Sequence, residues 1–198
     1  MLFNPPRRHL DFFPKIKLSD DILEVVESMR LVGLIISDDL SWEQNTDSMV
    51  KRAYSKLWIL RRLKAMGTES STLRLVYFRH IRCILEFGVP AWNGAITKKQ
   101  ASKIERVQKV VLHIIYGNNL SYRKLCKKFK LEILSQRRER LCVNFAKKAL
   151  KNKKFKDWFK VNSNNSGTKF APTIARTTRL KKAPIPYLTR LLNSIGNV

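Results

Sequence analysis

Two hydrophobic periods divide the chain, and the change falls at Leu40. A period near two marks strands and a period near 3.6 marks helices. Before Leu40, "ILEVVESMRLVGLII" (22–36) alternates imperfectly and then becomes a continuous apolar run at 31–36. The spacing predicts a short strand over 12–18 ("FFPKIKL"), a turn at 19–21 ("SDD"), and two strands at roughly 22–27 and 31–36. A few short strands with little to cover them are marginal alone, so this portion reads as one edge of a larger sheet.

After Leu40 the pattern is helical. Ser41 stands where an N-cap belongs, with Glu43 in the first turn, and the helix runs to about Leu63. Val50, Ala53, Leu57 and Leu60 share its apolar face. Lys51, Ser55 and Arg62 lie roughly opposite, with Arg52 and Lys56 to one side. Gly67 is expected at C′. A second helix covers about 70–86, with Leu73, Val76, Tyr77, His80, Ile84 and Phe87 on one side and Ile81 and Leu85 widening the arc. That breadth predicts a central helix with His80 packed or hydrogen-bonded between its neighbours. Gly88 and Pro90 stop it.

Thr97 caps a third helix over about 98–115, striped by Ile104, Val107, Val111 and Ile115. Lys99, Lys103, Arg106, Lys109 and His113 crowd its opposite arc. A short helix follows at 121–129, then one at about 135–151 with Leu141, Phe145 and Ala149 as its stripe. From Asn152 the pattern loosens. "VNSNNSGTKFAPT" (161–173) reads as a flexible loop, and an extended stretch breaks into a short helix near 187–195 with Pro186 at its first position. The fold class is therefore mainly α: a helical bundle preceded by a small β element and followed by a flexible C-terminal region. The chain divides at 1–40, 41–151 and 152–198.

Composition narrows the class. The 198 residues suffice for one modest domain with a real core, and the 44% apolar content argues against wholesale disorder. No charge-free stretch reaches the roughly 18 residues of a membrane span. Prolines and charges interrupt the start, "MLFNPPRRHLDFFPK", where a signal peptide would be apolar. Cys83, Cys126 and Cys142 are far apart and odd in number, the usage of free thiols in a reducing compartment. The expected location is intracellular, nucleus or cytoplasm, without a membrane partner.

Charge changes the picture most. Lysine and arginine number 40 against 15 acids, a net of +25 with a pI near 10.4. Residues 1–40 hold five basic and seven acidic side chains, whereas 41–198 hold 35 basic and eight acidic, a net of +27. Such a field attracts a polyanion, nucleic acid first, in a salt-dependent way. Lys51, Arg52, Lys56, Arg61 and Arg62 on the first helix, with Lys99, Lys103, Arg106 and Lys109 on the third, are the candidate phosphate contacts. The plainer reading of the same residues is a solvated basic face. "KKALKNKKFKDWFK" (147–160) adds a cationic tract whose Phe155, Trp158 and Phe159 either stack on bases or dock a loop onto the body.

Chemistry-bearing patterns are sparse. Asp38 and Asp39 end the apolar run at 31–36, where two-metal polymerases place a carboxylate pair, but such a site needs further carboxylates converging to hold ions about 4 Å apart. Between a strand end and a helix start, the pair suits capping and turn formation. His9, His80 and His113 have no neighbouring ligand at a metal spacing. "HLD" (9–11) has the H-x-D form of iron-dependent dioxygenases, which also require a β-barrel. There is no G-x-S-x-G, G-x-G-x-x-G or P-loop, so no metal and no cofactor is expected.

"LVGLIISDDLSWEQNTDSMVKRAYSKLWILRRL" (31–63), "LRLVYFRHIRCILEFGVPAWNG" (73–94), "IERVQKVVLHII" (104–115), "LEILSQRRERLCVNFAKKAL" (131–150) and "ARTTRLKKAPIPYLTRLLN" (175–193) occur in that order. With this order and spacing the chain resembles the C-terminal part of the reverse transcriptase of non-LTR (LINE-type) retrotransposons, across roughly residues 12–195. The resemblance implies the end of a palm leading into a helical thumb and connector. Gly33 falls on the family's L-G position, with Val32 in place of leucine, and Trp42 and Asn45 match its polar helix start. The thumb grips template–primer backbone, so Lys51, Arg52, Lys56, Arg61 and Arg62 take that candidacy by position. The family's aromatic-x-Asp-Asp hairpin is absent, as are the fingers and most of the palm. The start at Met1 then suggests a truncated element or the last portion of one.

The same segment also resembles a region grouped with the N-terminal part of AlkB-type tRNA-modifying dioxygenase–methyltransferases. That would imply 2-oxoglutarate-dependent oxidation or methyl transfer, for which the chain has neither a complete iron triad nor a glycine-rich methyl-donor loop. The expected function is a non-catalytic remnant of an RNA-directed DNA polymerase whose basic helices bind the phosphate backbone of primer–template or RNA. The alternatives are a helical protein-interaction module and a fragment completed by another chain that carries the palm.

Overall fold

The computed structural model describes residues 17–18, 21–22, 26–117, 119–162 and 169–195. Most of the strand expected at 12–18 lies outside them. The β element is two antiparallel ribbons. In one, β1 (Lys17–Leu18) pairs with β2 (Asp21–Ile22); in the other, β3 (Ser28–Leu31) pairs with β4 (Leu34–Ser37), placing Ser28 opposite Ser37 and Leu31 opposite Leu34. The strands expected at 22–27 and 31–36 are thus displaced, and the apolar run is folded back on itself. Val32 and Gly33 both take positive φ, 47° and 82°, which gives a two-residue hairpin turn whose twist matches its strands. Val32, a β-branched residue in the left-handed region, gave no turn signal.

Asn45 ties this hairpin to the helices: its buried Oδ1 accepts the Ile35 N–H at 3.1 Å. The first helix is α1 (Glu43–Ser55) followed by α2 (Leu57–Ala65). Its cap is Trp42, in the left-handed region at φ 59°, with no capping side chain; Ser41 only reaches the Glu43 N–H at 3.4 Å. Lys56 interrupts the helix but keeps right-handed helical backbone, so the buried series Thr46, Met49, Ala53, Leu57 and Leu60 runs on without losing phase. At the other end Gly67 stands at C′. Its N–H reaches Lys64 O, and the Thr68 N–H reaches Leu63 O, which closes a Schellman motif.

The helix expected over 70–86 forms as α3 (Ser70–Tyr77), a π-helical turn (Phe78–Arg82) and α4 (Cys83–Glu86). Its buried residues are Leu73, Tyr77, Ile81 and Leu85, continued by Val89 of α5 (Val89–Trp92). At 3.6 residues per turn a four-residue step overshoots by about 40°; the wider π turn takes that overshoot back and keeps one narrow face buried. His80 is consequently exposed, not packed between helices as expected.

A capping box starts α6 (Lys98–Tyr116): the Thr97 hydroxyl accepts the Gln100 N–H, and the Gln100 side chain accepts the Thr97 N–H. Its expected stripe of Ile104, Val107, Val111 and Ile115 is fully buried. After α7 (Tyr122–Lys128), α8 (Leu134–Lys151) buries Leu134, Arg138, Cys142, Ala146 and Ala149. The expected stripe through Leu141 and Phe145 is one residue out of phase, and Phe145 is 39% exposed. An arginine in the buried series hid it.

The C-terminal portion, expected to be loose, contributes to the same core. After the 3₁₀ turn Lys156–Trp158, Phe159 packs edge-on to Phe170, and both are buried. A bridge pairs Val161 with Phe170; the loop expected at 161–173 lies between its flanks partly outside the described residues. Then α9 (Thr178–Lys182) leads into α10 (Pro184–Ser194), which packs on α5 and α8. The last helix starts at Pro184, earlier than expected, with Pro184 and not Pro186 at its first position. Gly94 permits that docking, because a Cβ there would lie 2.5 Å from the Tyr187 ring.

Candidate nucleic-acid interface

The basic helices lie side by side. Gln100 Nε2 donates to Ser41 O at 3.2 Å, Lys103 pairs with Asp47 at 2.6 Å, and Lys64 Nζ donates to Ile115 O at 3.1 Å. Each contact joins successive points on the two helices, so α1–α2 runs parallel to α6. The 19 residues of α6 span roughly 28 Å, the axial length of about eight base pairs at 3.4 Å each.

This pairing sorts the nine sequence-predicted residues. Asp47 marks the edge of α1 that meets α6. At about 100° per residue, Lys51 falls within about 40° of that edge, whereas Arg52 and Lys56 fall about 140° and 180° away. Lys51, Arg61 and Arg62 are exposed and share the outer stripe of α1–α2. Across the junction, Lys99, Lys103 and Arg106 form the adjoining ridge of α6, with Lys109 on its far shoulder. The structure therefore brings six of the nine onto one surface, leaves Arg52 and Lys56 beside it on α1, and turns Lys109 about 120° round α6 from Lys103. Lys103 is engaged with Asp47, and that hydrogen bond holds its ammonium above the ordinary lysine value. Among the described residues no carboxylate lies within ion-pair distance of Lys51, Arg61, Arg62, Arg106 or Lys109. Ser102, Arg106, Lys109 and His113 also line a shallow pocket of about 680 Å³ with Glu105 and Tyr122.

Sequence reasoning missed two members of the outer stripe. Tyr54 and Trp58 lie three and seven residues after Lys51, and Trp58 is 63% exposed. The signal was available for Trp58, which falls about 100° to 160° from Ala53, Leu57 and Leu60; Tyr54 lies on the flank of that face, about 60° to 120° away. The aromatics that were singled out behave differently. Phe159 docks into the core, and Phe155 leans on Trp158 with ring centres 4.8 Å apart.

A buried polar network holds the ridge in place. The Glu105 carboxylate accepts the Leu134 and Ser135 N–H groups at 2.9 and 3.0 Å, capping α8 from a different helix. It also accepts the Tyr122 hydroxyl, while Gln108 accepts from Tyr77 and donates to Tyr122 and to Glu132 O. Burial raises both tyrosines well above the ordinary phenol value, so they serve as neutral donors. Behind this network Arg138 is 2% exposed. Its Nε donates to Asn93 Oδ1 at 2.9 Å, its Nη1 has no partner, and burial pulls its guanidinium below the ordinary value.

The paired aspartates sit in the turn between β4 and α1. Asp38 Oδ1 accepts the Asp39 N–H at 2.8 Å, and Asp39 Oδ1 accepts the Ser41 N–H at 2.9 Å. Partial burial works against the Asp39 charge, but hydrogen bonds from the Ser41 N–H and from the Ser37 and Ser41 hydroxyls, with a smaller attraction to Arg179, together outweigh it and hold the carboxyl below its usual value. Among the described residues no three His, Cys, Asp or Glu side chains gather at metal-binding distance, and no helix is long and apolar enough to cross a membrane. Cys126 and Cys142 are buried and Cys83 is exposed, all as free thiols. Compared with protein-family models, curated proteins and solved structures, the chain matches none.

Proposed function

We propose that the chain is a non-catalytic nucleic-acid clamp, built like the thumb and connector of a reverse transcriptase, whose α1–α2 and α6 grip the phosphate backbone of primer–template or RNA. The observation that carries this reading is the parallel pairing of the two helices, which gathers Lys51, Arg61, Arg62, Lys99, Lys103 and Arg106 on one surface. Arginine forks and mobile lysine ammoniums offset phosphate repulsion without reading sequence. Asp38 and Asp39 support the non-catalytic half of the proposal, since each directs a carboxylate oxygen to a backbone N–H of the turn. Binding is therefore non-specific and strongly salt-dependent.

The test is binding of a labelled duplex and of a single strand at 50 and 300 mM salt. The expected outcome is clear binding at 50 mM that falls by about a hundredfold or more at 300 mM, as loss of several phosphate contacts requires. Absent binding at both concentrations, or affinity indifferent to salt, sinks the proposal.

A further inference from the structure

The cationic band explains attachment to phosphates but leaves Trp58 unaccounted for. Removing an aromatic ring from water is among the largest single gains available to a folding chain, and the other tryptophans take at least part of it. Trp92 is fully buried, Trp42 packs against the core, and Trp158 is 40% exposed beneath Phe155. Trp58 stands 63% exposed on a rigid helix, and among the described residues no ring stacks on it. Its neighbours on the stripe are Lys51 and Tyr54 on one side and Arg61 and Arg62 on the other.

We infer that Trp58, with Tyr54 one turn before it, is a stacking platform for an unpaired nucleobase, so that this face prefers single-stranded nucleic acid. The inference rests on the phosphate-binding reading above and adds what is read besides phosphate. An indole with two arginines one turn after it and a lysine two turns before it matches a single strand, in which each base is tethered between two phosphates. In a duplex both faces of each base are already stacked, and the indole meets only the backbone or a groove edge. A protein-docking face would place further apolar residues around the two rings, and here the exposed neighbours are Lys51, Ser55, Arg61 and Arg62.

The experiment uses the full chain and three labelled probes of equal length: oligodeoxyadenylate, an abasic phosphodiester and a blunt duplex. The wild type binds oligodeoxyadenylate more tightly than the abasic strand, with tryptophan fluorescence quenched. Trp58→Ala weakens oligodeoxyadenylate binding about tenfold, while leaving the abasic strand, the duplex and the salt slope unchanged. Trp58→Phe restores most of the loss, and urea unfolding shows both variants folded. Equal affinity of wild type and Trp58→Ala for oligodeoxyadenylate overturns the stacking inference. So does an equal loss on the abasic strand, or self-association of the chain that Trp58→Ala abolishes. If the wild type binds no probe at 50 mM salt, the phosphate-binding reading fails first and the stacking inference with it; intact abasic binding without a Trp58 effect sinks stacking alone.

Discussion

Two arginine-rich regions of this molecule use the same side chain for opposite ends. Where α8 meets α4, Arg137 reaches Glu86 through both Nε and Nη2, Arg82 approaches the same carboxylate, and Arg140 pairs with Glu132 at 2.6 Å. Hydrogen bonds from Arg140 and Arg137 hold Glu132 below the ordinary carboxylate value, and the Glu86 hydrogen bond raises Arg137. Charge there is consumed internally and binds helix to helix. On the outer stripe of α2, Arg61 and Arg62 point to solvent with no such acceptor among the described residues. A net charge of +25 therefore says little about which arginines face a partner. The position of fifteen acids among forty bases decides it.

The contrast can be broken from either side. Reversing both solvent-facing arginines, Arg61→Glu with Arg62→Glu, is expected to cut affinity for a single strand about a hundredfold at low salt and to lower the salt slope by about two. The same double variant unfolds in urea within about 0.5 kcal/mol of the wild type, as an exposed surface change should. Fluorescence anisotropy across a salt series, beside a urea titration, checks both halves. Unchanged affinity would place the partner elsewhere.

The converse substitution sits in the paired region. Glu86→Ala leaves the largely buried Arg137 guanidinium with only its 3.4 Å contact to Glu132, and is expected to cost about 2 kcal/mol of stability, the loss of charge-assisted hydrogen bonds. Oligonucleotide affinity should stay within about twofold, because none of the candidate phosphate contacts belongs to this cluster. A denaturant midpoint that does not move would mean these arginines are as loosely held as those of α2.

The smallest effect lies at the border between the two behaviours. Asp47 draws Lys103 of the ridge into an exposed ion pair. Asp47→Asn removes one negative charge from the candidate face and frees a cation. Affinity should rise about threefold, with a slightly steeper salt slope. A fall in affinity instead would show that Asp47 positions Lys103 for the partner.

Much of the fold was legible because helical periodicity survives in single stretches of sequence. The stripes of α1–α2 and α6, the Thr97 cap and the Gly67 stop all lie within one or two turns of the residues they govern. The misplacements have local causes as well. The Val32–Gly33 turn uses a residue without turn propensity, Arg138 interrupts an otherwise apolar stripe, and a π turn moves His80 outward. Of the candidate site, the nine cations were legible as residues, and the outward position of Lys51 and Arg62 as a face. Trp58 falls between charged positions on the same outward face, where helical spacing alone does not distinguish an exposed ring from one folded back onto the core.

By itself the sequence determined a mainly helical chain, the approximate bounds of its long helices and the excess of cations after Leu40. These depend on propensity and spacing along one segment, which local physics sets. Only the tertiary structure decided that α1–α2 and α6 run parallel, that Glu105 caps α8, and that Glu86 and Glu132 take three arginines out of play. Those pairings join residues about 30 to 60 positions apart, except for the local ones at Glu132 and the Arg82–Glu86 pair. A Coulomb contact or hydrogen bond acts over a few ångströms, so which charges meet is set by packing and cannot be read from distance along the chain.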